Sequence, residues 1–481
     1  MSALLSGMLT DLGLAPGTVV VCPSLSFPVS ELRKIIGIGH YEERLLYLLL
    51  ALGEPGVRIV YLSSIPIDPA VVDYYLSFLK EGAGEARRRV HFLSVDDPSV
   101  RPLCAKLLDK PALVEELRSL TAGHRGHTLP FNVTECEALL ASEIGQPLVG
   151  PGPELTYLGS KSGARRVAKA AGVNVADGAE DLRSVEAIER AVASLLERRP
   201  GMERVVLKLN NGFSGQGNAI LSPATGRLAT GHVTFCAAEE TWSSFASKAE
   251  AEGCVVEELV SASDLVSPSV QVWLHRDGRV EVLSTHDQIL GGPDDQVYLG
   301  CRFPAQIAYR SRIVEDAKRI GAVLASNGVI GPFGVDFLVW GERFEHVVLS
   351  EINLRMGGTT HPFGMARLVT GAYYDEGRGE LTVGGTAKCY VATDNLKSDA
   401  YKGLHPQQVI DAVHDSGIAF DPQRATGVTV HLIGALPRFG KLGATCIGNS
   451  PEECDDLLGR FVAEVDALAQ RASERARGGR V

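Results

Sequence analysis

In the stretch GPFGVDFLVWGERFEHVVLSEINLRMGGTTHPFG two apolar runs flank the turn-like GERFE, so Asp336 on the first run can face Glu351 on the second. Strand alternation then puts Glu351, Asn353 and Arg355 on one face beside Asp336. Carboxylates gathered this way are costly unless something neutralises them. An oxygen set of Asp, Glu and Asn suits Mg²⁺, which takes one or two carboxylates and leaves its other positions to water and phosphate oxygens. An arginine alongside can steady a phosphoryl group in transfer. The plain alternative is a solvated strand face with an incidental ion pair. The E-x-N-x-R spacing inside an apolar hairpin, followed by Gly357 and Gly358 that free the backbone to turn, favours the metal.

A second stretch, VVLKLNNGFSGQGNAIL, carries a lysine at the end of an apolar run and breaks into glycine. Lys208 can reach phosphates there, while the loop supplies backbone N–H groups, those of Ser214, Gly215, Gln216 and Gly217 among them, that fold over a phosphate tail. It is not a P-loop, since GxxxxGK[ST] is absent and GALPRFGKL misses both the spacing and the Ser/Thr. Downstream, VVEELVSASD offers a strand end at Glu257, Glu258 and Val260 whose backbone can bond an adenine edge, with Asp264 placed for ribose hydroxyls. An ordinary strand end is the competing reading of that segment.

Positioning these groups takes a layered fold. The first part alternates strand-like runs (TVVVCPSL, VRIVYLSS, RVHFLSV) with helical ones, the βαβ rhythm of an open, Rossmann-like sheet. Its GIGHYE lacks the third glycine of a dinucleotide fingerprint and follows a helical segment, so it is not read as a cofactor site. LLYLLLAL reads as a buried helix, and Thr134 with Glu137 as a capping box. QPLVGPGPE punctuates the pattern before a helix at SKSGARRVAKAAGV, so a second unit begins there. Helices and antiparallel strands follow to about residue 381. The last part is α/β again and ends in a long amphipathic helix. The fold class is therefore α/β and α+β, multidomain, divided at 1–154, 155–256, 257–381 and 382–481.

A chain of 481 residues exceeds what one core usually supports, which agrees with that division. A formal net charge of -11 argues against a broad nucleic-acid surface and leaves small-molecule chemistry as the expectation. There is no basic residue before Arg33 and no apolar run near the roughly 20 residues a membrane span needs, so neither export nor membrane insertion is expected. Nine cysteines without a CxxC point to reduced thiols and a cytoplasmic setting. Oligomeric state is left open.

Lys161 at a helix start, Lys208 before a glycine loop, the Glu257–Val260 strand end, then Asp336 with E-x-N-x-R: in this order the chain resembles the ATP-grasp superfamily from Leu155 to Tyr374. The resemblance implies ATP held between two α+β lobes. Lys161 and Lys208 would lie on phosphates, Glu257 to Val260 at the adenine, and Asp264 at the ribose. Asp336, Glu351 and Asn353 would bind two Mg²⁺ ions, and Arg355 would steady the transferred group. The flanks are similar to the pre-ATP-grasp and closing domains of carboxylate–amine ligases. RMGGTTHPFG and TLPFNVTECEALL resemble peptide ligases of antibiotic biosynthesis. That implies an ADP-forming ligase that couples a nonproteinogenic, guanidino-bearing amino acid, as its acyl phosphate, to the amine of a peptide. A carboxylase or a small-molecule kinase on the same site is the alternative. Some relatives carry an arginine two residues before the first acidic ligand where this chain has Gly334, so the phosphoryl clamp is expected to lean on Arg355 and the lysines. Arg276, His286, Arg302 and His361 are the candidates for the acid's own carboxylate.

Overall fold

The computed structural model describes residues 17–79, 82–212, 217–222, 232–237, 239–291 and 297–478. They gather into two compact units, one taking residues up to 153, 300–304 and 355 onward, the other 154–299 and 305–354.

The first unit opens with β1 (Gly17–Cys22), β2 (Val57–Ser63), β3 (Val90–Ser94) and β4 (Gly126–Pro130), a parallel sheet in the order β3-β2-β1-β4. Strands buried on both faces need apolar residues on both, and Val20, Cys22, Val60, Leu62 and Leu93 pack against helical Leu103, Leu107, Leu117 and Leu140. The LLYLLLAL run lies in a helix of 3₁₀ hydrogen bonding, Ile38–Gly53, buried from Tyr41 to Leu52. Beyond β4, Thr134 and Glu137 form the capping box of helix Glu135–Glu143.

In the second unit, α1 (Lys161–Ala170) precedes a five-stranded sheet, order β5-β9-β6-β7-β8. Its strands are β5 (Gly178–Leu182), β6 (Val205–Leu209), β7 (Asn218–Ser222), β8 (His232–Phe235) and β9 (Cys254–Glu258). Then come β10 (Pro268–Leu274) and β11 (Val280–Gly291), turning at Asp277 and Gly278, where φ of +84 suits glycine. β12 (Val297–Phe303) crosses the division between units. After α2 (Ile307–Ser326) the chain forms the hairpin β13 (Gly331–Trp340) and β14 (His346–Asn353), with β13 antiparallel to β10 as well. On α2, Tyr309, Ile313, Ala317, Ile320 and Leu324 recur every three or four residues and pack on Val270, Val272, Phe333, Val335 and Phe337. This packing makes one face of the four-stranded ladder β14-β13-β10-β11 apolar except for buried Thr285, whose Oγ1 accepts from Ala305 N–H at 3.3 Å.

The chain then returns to the first unit with α3 (Thr360–Thr370), β15 (Tyr373–Asp375), β16 (Glu380–Val383), β17 (Thr386–Lys397), β18 (Gly427–His431), β19 (Lys441–Gly448) and α4 (Pro451–Gly478). Residues 355–381, assigned from the sequence to the second lobe, belong instead with the first unit. The reason is local: Met356 N–H donates to Phe131 O at 3.0 Å, and Gly364 approaches Tyr47 so closely that a Cβ there would lie 2.3 Å from the ring. Among the described residues no helix is long and apolar enough to cross a membrane.

Candidate active site

Residues directly opposite in an antiparallel ladder share a face. One row across the ladder therefore reads Glu351, Asp336, Ser269, His286, and the next row on that face reads Asn353, Gly334, Gln271, Ser284. The apolar face lies on the other side, so polar letters at alternate positions of four strands make a single polar surface. The β13–β14 register shifts by one residue: Asp336 pairs with Glu351, but Phe337 pairs with Leu349, which leaves Ser350 extra.

On this surface Asn353 Nδ2 donates to Asp336 Oδ2 at 3.0 Å and to Glu351 Oε1 at 2.8 Å. Lys161 Nζ forms an ion pair with Glu351 Oε2. Burial pushes the Glu351 carboxyl up, but the Lys161 ammonium and the hydrogen bonds from Lys161 and Asn353 outweigh it and hold the group well below the usual carboxylate range. Lys161 begins α1, whose N-cap Ser160 Oγ accepts from Gly163 N–H at 3.0 Å. A Cβ on Gly163 would lie 1.8 Å from Tyr157 O, so only glycine lets the helix start here. Buried Asn210 ties the same turn down: its Oδ1 accepts from Ser162 N–H and Oγ–H at 3.0 and 2.7 Å, and its Nδ2 donates to Glu252 O at 2.9 Å. The Lys161 ammonium offsets the charge of Glu351, and the neutral amide of Asn353 hydrogen-bonds to both carboxylates. The donor set, two carboxylates and a side-chain amide, is the hard-oxygen chemistry that fits Mg²⁺.

A second charged cluster stands on the five-stranded sheet. Glu257 Oε2 pairs with Lys208 Nζ at 2.8 Å, and its Oε1 accepts from Arg165 Nη1 at 2.6 Å. All three are buried, at 4, 8 and 3% exposure for Glu257, Lys208 and Arg165. Burial raises the Glu257 carboxyl, and the two cations more than reverse it, holding it below its ordinary value. Glu257 is thus the counter-ion of Lys208, and its side chain is occupied within the fold. Arg165 escaped the sequence reading. Its signal was a position four residues after Lys161, on the same helix face.

The glycine loop leaves β6 at a tight neck. Leu209 N–H donates to Gly217 O at 3.0 Å and Gly212 N–H to Leu209 O at 3.1 Å. A Cβ on Gly217 would sit 2.8 Å from Gly212 Cα, so two glycines meet where side chains do not fit. Ser214, Gly215 and Gln216 lie outside the described residues.

Other expected residues are placed elsewhere. Glu258 Oε1 accepts from Asp177 N–H at 3.1 Å, and Val260 is half-buried in the connection after β9. Exposed Asp264 accepts from Gly341 N–H at 2.9 Å, at the turn end of β13, five residues along the strand from Asp336. Arg276 is exposed in the β10–β11 turn, beyond the opposite end of that ladder. Two candidate carboxylate ligands need correction, and a third is placed on the surface. His286 sits in the polar row but is fully buried, and burial pulls its pKa down to about 3, so it offers a substrate no positive charge. His361 is buried with Nε2 3.1 Å from Asp394 Oδ1, an oxygen that His431 Nε2 also meets at 2.8 Å, while Arg44 takes the other oxygen. That cluster is charge-balanced within the first unit. Arg302 pairs with Asp455 at 2.8 Å.

Arg355 is a further correction. β14 ends at Asn353, so strand alternation does not extend to it. Its guanidinium stands 5.5 Å from the Phe27 ring centroid and 6.0 Å from that of Phe131, and Nη1 donates to Met356 O at 3.0 Å.

Comparison with known proteins bears on this arrangement. Residues 153–224 and 228–357 match a family described as IQCH-like, ATP-grasp, and residues 408–460 match the PGM1 C-terminal domain. The chain is 31% identical to L-propargylglycine--L-glutamate ligase of Streptantibioticus cattleyicolor, over 92% of each chain. It is 23% identical to IQ motif-containing protein H of Danio rerio, over 68% of this chain and 36% of that one. In fold it is similar to N5-carboxyaminoimidazole ribonucleotide synthetase purK in its ADP complex (TM-score 0.53, 15% identity, 95% of this chain and 98% of that one). It is also similar to biotin carboxylase of Campylobacter jejuni (TM-score 0.56, 15% identity, 91% and 88%).

Proposed function

The chain belongs to the ATP-grasp superfamily of ligases, and on that premise we propose that it phosphorylates the carboxylate of one amino acid and joins it to the amine of a second amino acid or a peptide, with release of ADP and phosphate. The observation that carries this reading is the Lys161–Glu351 ion pair set beside Asp336 and Asn353 on one sheet face.

A free carboxylate resists an amine because its carbon is a poor electrophile and oxide is a poor leaving group. The carboxylate oxygen attacks the γ-phosphorus and ADP departs; the amine nitrogen then attacks the acyl carbon, loses a proton, and phosphate departs. Asp336, Glu351 and Asn353 would hold Mg²⁺, two ions in this reading, which when bound neutralises phosphate oxygens. Lys161 and Lys208 place ammonium groups on the phosphate tail, and Arg355 steadies the group in transfer. The loop from Asn210 to Gly217 covers the phosphates and keeps water from the acyl phosphate. Backbone groups from Glu257 to Val260 take the adenine edge. Asp264 takes the ribose only after releasing Gly341 N–H.

The named substrates of the Streptantibioticus relative support a small amino acid as one reactant. The similarity of RMGGTTHPFG and TLPFNVTECEALL to the pheganomycin-pathway peptide ligase supports a guanidino-bearing acid and a peptide amine, in antibiotic biosynthesis. Incubation with ATP, Mg²⁺, a panel of amino acids and short peptides, followed by ³¹P NMR and mass spectrometry, tests it. ADP and phosphate should form only with both partners present, together with a product equal to their sum less water. ADP without an amine would mean a kinase, and dependence on bicarbonate a carboxylase.

A further inference from the structure

β19 ends at Gly448, which pairs with Cys389 of β17, and after Asn449 and Ser450 the chain enters α4, whose first turn carries Cys454. The two sulfurs lie 3.4 Å apart, and all of these residues belong to the first unit. The close approach is built into the turn. A Cβ on Gly448 would lie 3.0 Å from Cys454 Sγ and 3.1 Å from Glu453 Cβ, so a side chain there would push the start of α4 away from the strand. Asn449 N–H and Nδ2 donate to Glu453 Oε2 at 2.8 and 3.0 Å, Glu453 N–H donates to Ser450 Oγ at 3.2 Å, and Cys454 N–H to Ser450 O at 3.1 Å. Lys388, the neighbour of Cys389, ties β17 to the same turn, its Nζ donating to Asn449 Oδ1 at 2.7 Å. Cys389 is half-buried and Cys454 only 1% exposed, so a solute reaches Cys389 first.

We propose that Cys389 and Cys454 are a modification site, a thiol pair that a hydroperoxide converts to a reversible disulfide joining β17 to α4. Cys389 Sγ–H meets Gly448 O at 3.6 Å, so the hydrogen shared between the sulfurs is that of Cys454. That bond holds the Cys389 thiol below its ordinary range, and the positive end of α4 acts in the same direction. Cys454 is pushed up by the same bond and by burial, and stays protonated until its partner reacts. The Cys389 thiolate attacks one peroxide oxygen, the O–O bond breaks, and the departing hydroxide takes the proton that Cys389 lost and leaves as water. A sulfenic acid remains. Cys454 then gives up its proton, its sulfur attacks that of Cys389, the S–O bond breaks, and the hydroxyl departs with the proton as a second water. Two thiols have lost two electrons, and one peroxide has gained them. Closing the bond draws the sulfurs together by about 1.4 Å. A small-molecule thiol reverses it by exchange. Cys22 and Cys104, which are also neighbours, are both wholly buried and give a peroxide no entry.

Reduced full-length protein treated with stoichiometric hydrogen peroxide, then unfolded, alkylated and weighed, tests this. Two of the nine cysteines should escape alkylation, the intact mass should fall by two hydrogens, and a peptide map should join Cys389 to Cys454. Dithiothreitol should restore all nine thiols. In Cys454→Ala the reaction should stop at a sulfenic acid on Cys389 that dimedone traps, and in Cys389→Ala the Cys454 thiol should survive the same treatment. Cys446→Ser, which removes the cysteine two residues before Gly448, should keep the bond. Full alkylation of all nine cysteines overturns the proposal, as does a bond joining Cys22 to Cys104 or Cys446 to Cys454 in place of the expected one. If Cys454→Ala lowers Tm, Cys389→Ser, at the more exposed sulfur, decides. None of these readouts uses ATP or a ligase assay, so the result stands whatever the fate of the proposed function.

Discussion

Lys161 and Arg165 stand one turn apart on α1 and reach different carboxylates, Lys161 that of Glu351 and Arg165 that of Glu257. One helix face thereby joins the polar surface of the β14-β13-β10-β11 ladder to the counter-ion that holds Lys208. The two ion pairs differ in kind: Arg165 and Glu257 are buried, whereas Glu351 keeps 27% of its side chain exposed.

Arg165→Ala leaves Glu257 with Lys208 alone in a buried site. Loss of about 1–3 kcal/mol of stability is expected, since Glu257 keeps Lys208 but its Oε1 and the Ala176 carbonyl lose the buried hydrogen bonds that Arg165 gives them. Urea unfolding measures it. An unchanged midpoint would show that Lys208 suffices.

Glu351→Gln and Asp336→Asn should fold as the parent does, because both side chains are only half-buried and Asn353 still bonds to an amide oxygen. Turnover should fall by about 100-fold or more, with the Mg²⁺ requirement moved upward in Asp336→Asn. Circular dichroism and a Mg²⁺ titration of ADP release check both halves. Full activity in Glu351→Gln would end the metal assignment.

Stability should fall in two stages as pH drops. His361 is pulled by burial to about 4, below its unfolded value near 6.5, so between those values the unfolded chain binds the extra proton and stability declines with falling pH. Below about pH 4 the depressed carboxyls of Glu257 and Asp394 are protonated more readily in the unfolded chain, and their contribution is lost in turn. Denaturation across pH 3 to 7 should therefore show an upper slope, to which buried His286 also contributes, that His361→Gln lessens by one proton, and a further fall below about pH 4.

Gly217→Ala puts a Cβ 2.8 Å from Gly212 Cα and must spread the loop neck. About 1–3 kcal/mol of destabilisation is expected, together with a larger KM for ATP than Ala substitution at exposed Asn211 produces. Steady-state kinetics with varied ATP would separate these.

The hairpin pairing of Asp336 with Glu351 was legible because a turn-like pentapeptide between apolar runs fixes which residues face each other. So were the parallel leading sheet and the Thr134 capping box, which rest on local patterns. What was not legible depends on tertiary contact. A histidine letter does not disclose burial, and His286 and His361 proved to be inside. That the Glu257 side chain serves as a counter-ion was hidden because its partners, Arg165 and Lys208, come from a helix and a strand far off in sequence. Arg355 was read as a strand residue because E-x-N-x-R continues an alternation that the backbone abandons at Asn353.

The extra residue at Ser350 sets the phase of β14. Val347 and Leu349 face the core, and strict alternation from them would send Glu351 and Asn353 inward and Ile352 outward. The hairpin thus behaves like two gratings joined with a half-period offset, and the joint is what brings the acidic letters out. Changes of chain length are accordingly unequal in their reach. Loss of Ser350 would restore plain alternation and leave both Glu351 and Asn353 on the Asp336 side, while one residue gained between Glu351 and Asn353 would turn one of them into the apolar interior. The segment can be edited at the joint and nowhere else in its last half-turn of pleat.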